Sequence, residues 1–405
     1  MATAGWFPAV LTLAAAACSA MLAQWLGTRI ALSPLRGAPP GHWTDKARLA
    51  YPGWQLLTFG EILQPAPWAL FVNALSDWFV PSTQRWLLPL VVLASFAGAG
   101  VVSRRIESQV RQRAVSFLDW LRGWAVRLLF FLAPPVVCVI LGQLLPDRLN
   151  WTVAAMLVGA AAVMTLMSYG GLLTLSRGLG LVRPAPERLR RLVSAAAQRV
   201  GAPPPAAYLL RWKAANAFAL PFSHAMAVTD TLLDSFSDEE IISVCVHEIA
   251  HLTEPRRIHL ARLTGQFVWL ALPLAGPLSG TLGQPGMVAA LLLFLTGFFF
   301  VRRMVFAMEV RADSLGRSHE GDAGTYARAL EKLYEINLMP AMTRQKRPTH
   351  PHLYERLLAA GVTPAYPRPE PPSRVRGAIA TVLTMLAATV LAFIWMVALG
   401  LALGR

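Results

Sequence analysis

The stretch SDEEIISVCVHEIAHLTEP, residues 237–255, decides how the rest of the chain is read. Ser237 and Glu240 have the spacing of a capping box, and Asp238 and Glu239 fall at the positive end of the helix that should follow. That helix is expected to run to about Thr253, with Pro255 as its stop. His247 and His251 are four residues apart, about 40° from each other around a helix, so both imidazoles reach one point in space. Neutral imidazole suits zinc, and Glu248, one residue round, can take a proton from water that the metal activates. Cys245 lies about 200° from His247 on the same helix and should face away.

A third ligand must come from elsewhere. A metzincin would continue with Gly at 254 and His at 257, where Glu254 and Arg257 stand. From Pro255 to Met308 there is no Asp or Glu. The next carboxylate is Glu309, with Asp313 four residues later on the same helical face. Two apolar runs lie between the motif and Glu309, and two crossings return a chain to its starting side. Glu309 can therefore meet the histidines. Glu254, three residues past His251, is the competing candidate. Asp313 reads as the acceptor for the outer N–H of a ligating histidine.

Those apolar runs are part of a wider pattern. The 405 residues are 55% hydrophobic and 15% charged, and about 25% charged is usual in soluble domains. A disordered chain, a coiled coil and an ordinary cytosolic globule are excluded. Seven runs are long enough to cross about 30 Å of hydrocarbon, near residues 6–26, 86–102, 128–145, 152–176, 266–282, 286–301 and 378–403. The first lacks a preceding Lys or Arg and reads as an anchor. Residues 51–81, which include Glu61 and Asp77, read as a loop or as an imperfect eighth span. The net charge of +15 comes from Arg beside apolar runs, as the positive-inside rule requires, and so does not call for nucleic acid. Arg104, Arg105, Arg111, Arg113, Arg122 and Arg127 place the loop between the second and third runs in the cytoplasm. Counting outward, residues 177–264 and 302–377 are cytoplasmic too, and a loop near 28–85 is external. Cys18, Cys138 and Cys245 show no disulfide spacing.

The expected organisation is a membrane region over 1–176 and a first catalytic part over 177–264. A helical hairpin over 265–301, a second catalytic part over 302–376 and a last span over 377–405 follow. The soluble block opens on an amphipathic helix from Pro184 to Val200, with Leu189, Leu192, Val193 and Ala196 on one face. Short strand-like runs follow at Tyr208–Trp212, Asn216–Leu220 and Met226–Thr229, read as a β-meander. No Gly or Pro lies between Phe298 and Ser314, so the sixth run should continue as one helix through Glu309. That sets Glu309 about 12 Å beyond the apolar boundary at Val301, near headgroup depth.

The ordered set resembles the membrane-embedded gluzincins that include HtpX and the CAAX prenyl endopeptidases. It consists of His247-Glu248-x-x-His251, an apolar hairpin, then Glu309-Val310-Arg311-Ala312-Asp313. Asn216-Ala217-Phe218-Ala219, Val228, Tyr326–Leu333 and Thr349-His350-Pro351 with Arg356 extend the likeness over roughly residues 185–360. The resemblance implies a zinc peptidase acting beside or within the membrane, with one zinc ion per chain and Glu248 as base. It implies that Asn216, Ala217, Phe218 and Ala219 pair with an extended substrate, a strand addition that reads little side-chain sequence. It also implies that His350 polarises the scissile carbonyl, while Arg356 braces the site through an ion pair. His352 and the early stop after Thr253 depart from the family pattern.

The fold class is thus a mainly α, polytopic membrane protein with a small α+β zincin-type domain. Its partners are the bilayer and a membrane-associated protein or peptide substrate, without nucleic acid. The Ala- and Arg-rich, Lys-poor composition suggests a bacterial inner membrane, with the catalytic domain cytoplasmic. The alternative is a non-catalytic transporter or scaffold with a relict zinc site.

Overall fold

A computed structural model of the chain describes residues 6–36, 41–56, 64, 67–68, 87–110, 114–343 and 351–402. It is mostly helical with one small sheet. In chain order the main elements begin with α1 (Trp6–Ala31), α2 (Trp43–Gln55), α3 (Leu87–Val110), α4 (Trp151–Leu166) and α5 (Leu172–Gly178). Then come β1 (Val182–Pro184), α6 (Glu187–Arg199), β2 (Ala206–Leu210), β3 (Ala217–Leu220) and β4 (Ala225–Thr229). The chain continues through α7 (Asp238–Leu252), α8 (Arg256–Gln266), α9 (Gln284–Ser318), α10 (Thr325–Ile336), α11 (Leu353–Ala359) and α12 (Arg374–Ala402).

Among the described residues, four helices are long and apolar enough to cross a membrane: Ala9–Ala31, Trp151–Gly178, Gln284–Ser318 and Arg374–Ala398. They coincide with four of the seven expected runs. The other three are helical in their described residues, which do not there make a helix long and apolar enough to count as a span. α3 carries Arg104, Arg105 and Glu107 in its last turns. Leu128–Leu132 winds as a π-turn before a short helix. Residues 267–282 break into a 3-10 turn, Phe267–Ala271, and a helix, Ala275–Leu282, with Pro273 between.

The chain forms two compact units. One comprises Met1–Phe117, Asn337–Arg344 and Tyr366–Arg405. Here α1 and α3 run parallel, because the Ala17 carbonyl lies where a Cβ at Gly98 would collide and Gln24 Nε2 donates to Ser103 Oγ at 3.1 Å. Small residues let helix backbones approach this closely in membranes. α12 runs antiparallel to α1, with Gly27 facing Thr384 and Ala16 clustered with Ala392. At one end Ala31, Leu32, Ala47, Ala50, Ile106, Leu338 and Ala380 form a core. Trp54 Nε1 donates to the Leu338 carbonyl at 3.2 Å, and Arg48 pairs with Glu370 at 2.7 Å.

The stretch expected as a loop over 28–85 is described at residues 28–36, 41–56, 64 and 67–68. Of these, residues 41–56 pack at the same end of this unit as Leu338 and Glu370. The rest of the 51–81 stretch falls largely outside the described residues.

The second unit comprises Leu118–Ile336 and Gln345–Ala365. α6 buries Leu189, Leu192, Val193 and Ala196 against Ile241, Ile242 and Cys245 of α7, the face that its apolar periodicity marks. The sheet order is β1-β2-β4-β3, with β2 and β4 parallel and β3 antiparallel to β4. This corrects the meander. All five residues of β4 are buried, so it takes the centre with a partner on each side. β3 is only partly buried and is left at the edge. A tight turn joins the pair, Pro221–Ser223, ending on His224 with φ 44°. The β1 strand has no strong signal in the sequence. α9 runs unbroken for 35 residues, as the absence of Gly and Pro around Glu309 leads one to expect.

Candidate metal centre

The capping box forms as spaced: Ser237 N–H donates to Glu240 Oε2 at 2.8 Å and Glu240 N–H to Ser237 Oγ at 3.4 Å. It fixes the start of α7, and therefore which residues of that helix face α9. The other end is held by Arg311, which donates from α9 to the Ala250 carbonyl at 2.6 Å and the Thr253 carbonyl at 3.4 Å. A cation on the last carbonyls of a helix is also favoured by its dipole.

Between these anchors His247, His251 and Glu309 converge, with ligand atoms all within 4.8 Å of one another. His247 Nε2 lies 3.5 Å from Glu309 Oε2, and His251 Nε2 lies 3.5 Å from Glu309 Oε1. Tetrahedral zinc with bonds of about 2.0–2.2 Å needs ligand atoms about 3.3–3.5 Å apart. The donor set fits that ion, and the two histidine–carboxylate distances match its spacing. Glu254, the competing candidate, sits on the other side of His251.

The outer nitrogens explain why the inner ones are available. His247 Nδ1 is 2.8 Å from the Tyr326 hydroxyl and 3.3 Å from Asp313 Oδ1. Tyr326 donates to Asp313 Oδ1 at 2.6 Å, so the hydroxyl accepts the Nδ1 proton of His247 and passes the chain on. Burial holds the Tyr326 phenol well above its ordinary pKa, which keeps it a donor. Arg356 closes the network by pairing with Asp313 and donating to the Tyr326 oxygen.

His251 Nδ1 meets Glu254 Oε1 at 3.0 Å. Arg262 grips both oxygens of Glu254 at 2.8 Å. Burial alone would raise the Glu254 pKa, but the bonds from His251 and Arg262 outweigh it and hold it at about 2. Each histidine thus has an ionised carboxylate fixing its Nδ1–H tautomer, with Nε2 free to bind a metal. Burial works against protonating His247, yet Asp313, Glu309 and Glu248 together lift its pKa to about 9. The pocket carries an excess of negative charge that a cation satisfies.

Glu248 turns toward the sheet and accepts the Ala219 N–H at 2.7 Å. The edge position of β3 and this bond place Ala219 with its main chain facing outward from the sheet. Ala217 and Phe218 lie on the same strand, and Asn216 immediately precedes it, its N–H bonded to Thr229 Oγ1 at 2.9 Å. Cys245 is buried in the core, away from the cluster. His350 lies outside the described residues. The roles of Tyr326, Arg262 and Arg311, and the outer role of Glu254, escape the sequence reading, although Tyr326 and Arg311 stand in stretches that carry the family likeness. Glu254 left a signal of its own, its i+3 spacing from His251.

A family-wide sequence pattern, described as Peptidase family M48, matches residues 185–361. Protease HtpX of Legionella pneumophila is 26% identical over 216 residues, which cover 49% of this chain and 76% of that protein. The Protease HtpX homolog of Trichormus variabilis is 32% identical over 24% of this chain and 35% of its own length. That of Burkholderia cenocepacia is 31% identical over 36% of this chain and 55% of its own length. Residues 185–361 thus match Peptidase family M48, and the chain, which carries apolar helices long enough to span a bilayer, resembles the HtpX proteases, enzymes that hydrolyse peptide bonds.

Proposed function

We propose that the chain is a zinc-dependent integral-membrane endopeptidase. It cleaves membrane-associated proteins or peptides at the cytoplasmic face of a bacterial inner membrane. The observation that carries the reading is the convergence of two histidine rings and the Glu309 carboxylate, with ligand atoms within 4.8 Å of one another and each imidazole Nε2 3.5 Å from a Glu309 oxygen. The Arg-rich segments flanking the apolar runs support the cytoplasmic placement.

His247, His251 and Glu309 would hold the metal. When bound, zinc supplies Lewis acidity, lowering the pKa of water and polarising a carbonyl. Glu248 takes the proton from the attacking water and hands it to the leaving amine. The Ala219 N–H holds that carboxylate in place beforehand. Asn216, Ala217, Phe218 and Ala219 offer an outward strand edge, along which an extended substrate pairs through its main chain. His350 takes the oxyanion role that the family resemblance implies. Asp313 and Arg356 fix the orientation of His247.

The test is Glu248→Gln in the full chain, purified with its zinc. The expected result is unchanged zinc content with cleavage reduced by about 10²–10⁴. Wild-type cleavage by a zinc-loaded Glu248→Gln chain would refute the base assignment. The same inactive chain can trap substrates for identification.

A further inference from the structure

The candidate span Trp151–Gly178 is not a regular helix. It is interrupted by a π-turn at Met167–Gly171, where Tyr169 leaves helical geometry and Gly170 takes φ 122°, ψ −10°. That backbone is open to glycine and strained for other residues. Single π-turns of this kind concentrate at functional sites. Three features gather at this one. Tyr169, 57% exposed, packs on Phe222 with ring centroids 5.0 Å apart. Phe222 meets the His259 ring at 6.1 Å. Ser168 donates to Gln266 Oε1 at 3.0 Å.

Phe222 lies two residues past the end of β3, in the turn Pro221–Ser223 that leads into β4, and so stands three residues beyond Ala219 in the chain. His259 and Gln266 share a face of α8 with Arg262, at spacings of three and four. Arg262 is the residue that holds Glu254 against His251. One face of α8 therefore runs from the candidate metal site to the aromatic group. Along it, His259 Nε2 and Gln266 Nε2 are buried without a hydrogen-bond partner. Buried polar atoms left unpaired cost free energy, and a ligand that pairs with them removes that cost.

We infer that Tyr169, Phe222 and His259 form a specificity subsite of the peptidase. It takes an apolar or aromatic side chain of the substrate two or three residues from the scissile bond. The substrate backbone, running alongside β3, brings a polar group to His259 Nε2. The inference rests on the strand-pairing reading above. Its content is separate: pairing fixes where the backbone lies, while this group reads one side chain. The exposed Tyr169 ring lies on a membrane-span helix, which suits segments drawn from a bilayer.

The test uses the full-length Glu248→Gln chain in detergent and fluorescent extended peptides that carry Phe or Asp at successive positions. The Phe peptide should bind at least about tenfold tighter than the Asp peptide at one position only. Adding Phe222→Ala should reduce that ratio to about threefold or less, with zinc content unchanged. A benzophenone side chain at the preferred position should attach to Tyr169, Phe222 or their immediate neighbours. A ratio unchanged in Phe222→Ala, or label found only elsewhere, overturns the subsite while leaving strand pairing intact. Failure of every extended peptide to bind would sink strand pairing and the subsite with it.

Discussion

The Glu248 carboxylate and the Ala219 main-chain N–H are hydrogen-bonded at 2.7 Å, tying the motif helix to the edge strand of the sheet. The candidate base and the main chain that would align a substrate therefore share one reference point. A shift in either carries the other with it. Much of the enzyme's chemistry should accordingly depend on residues that hold these elements still and never touch substrate.

Glu254 is the first of these. Glu254→Gln keeps the shape but removes the charge that fixes the His251 tautomer. Zinc affinity should fall about 10–100-fold, read by competition with a chromophoric chelator. Arg262→Gln should give a smaller loss in the same direction, since Glu254 would keep its bond to His251.

The same carboxylate sets an acid limit. Its folded pKa, about 2, lies below the ordinary value of about 4.3. Its stabilising contribution is thus present in full above that ordinary value and is lost as pH falls toward 2. Acid titration of folding should show a transition in that window that Glu254→Gln flattens. An unchanged acid profile in the variant would contradict the depressed pKa.

How much of this could be read beforehand differs from group to group. The convergence of the two histidines was legible because a helix fixes their angles from spacing alone. Glu309 was legible by elimination, as the first carboxylate after a run with none. Asp313 followed from its i+4 position. Tyr326 and Arg262 were not, because each reaches the site through tertiary packing of a separate helix, and no local pattern marks which residue of such a helix will point inward. The sheet order was missed for a related reason. β3 and β4 read as consecutive hairpin strands, and only the full burial of β4 reveals that it must lie between two partners.

Tyr326→Phe and Asp313→Asn separate two ways of orienting His247. The first removes a hydroxyl and leaves the Arg356–Asp313 pair. The second removes the charge on which His247, Tyr326 and Arg356 all converge. Zinc affinity should fall further for Asp313→Asn, and chelator competition on the two purified chains checks the order.

Arg311→Met removes the bonds to the Ala250 and Thr253 carbonyls while keeping a long side chain. A charged hydrogen bond at this partly exposed helix end is worth about 1–2 kcal/mol. Denaturant unfolding of the second unit should show a loss of that size. No change would mean that the helix end is held by other contacts.

Arg48 and Glu370, paired at 2.7 Å, bear on topology. Single cysteines at Asp45 and at Arg368 should label from the same side of sealed vesicles with a membrane-impermeant maleimide. Labelling from opposite sides would contradict the packing of α2 against this segment.

The central claim is that His247, His251 and Glu309 hold zinc. Zinc-edge X-ray absorption on the purified, catalytically competent chain tests it most directly. Two imidazole nitrogens and carboxylate oxygen at about 2.0–2.2 Å, with no sulfur, are predicted, and the Glu309→Ala chain should lose the oxygen contribution. A sulfur shell near 2.3 Å, or a spectrum unaltered in Glu309→Ala, would contradict the account.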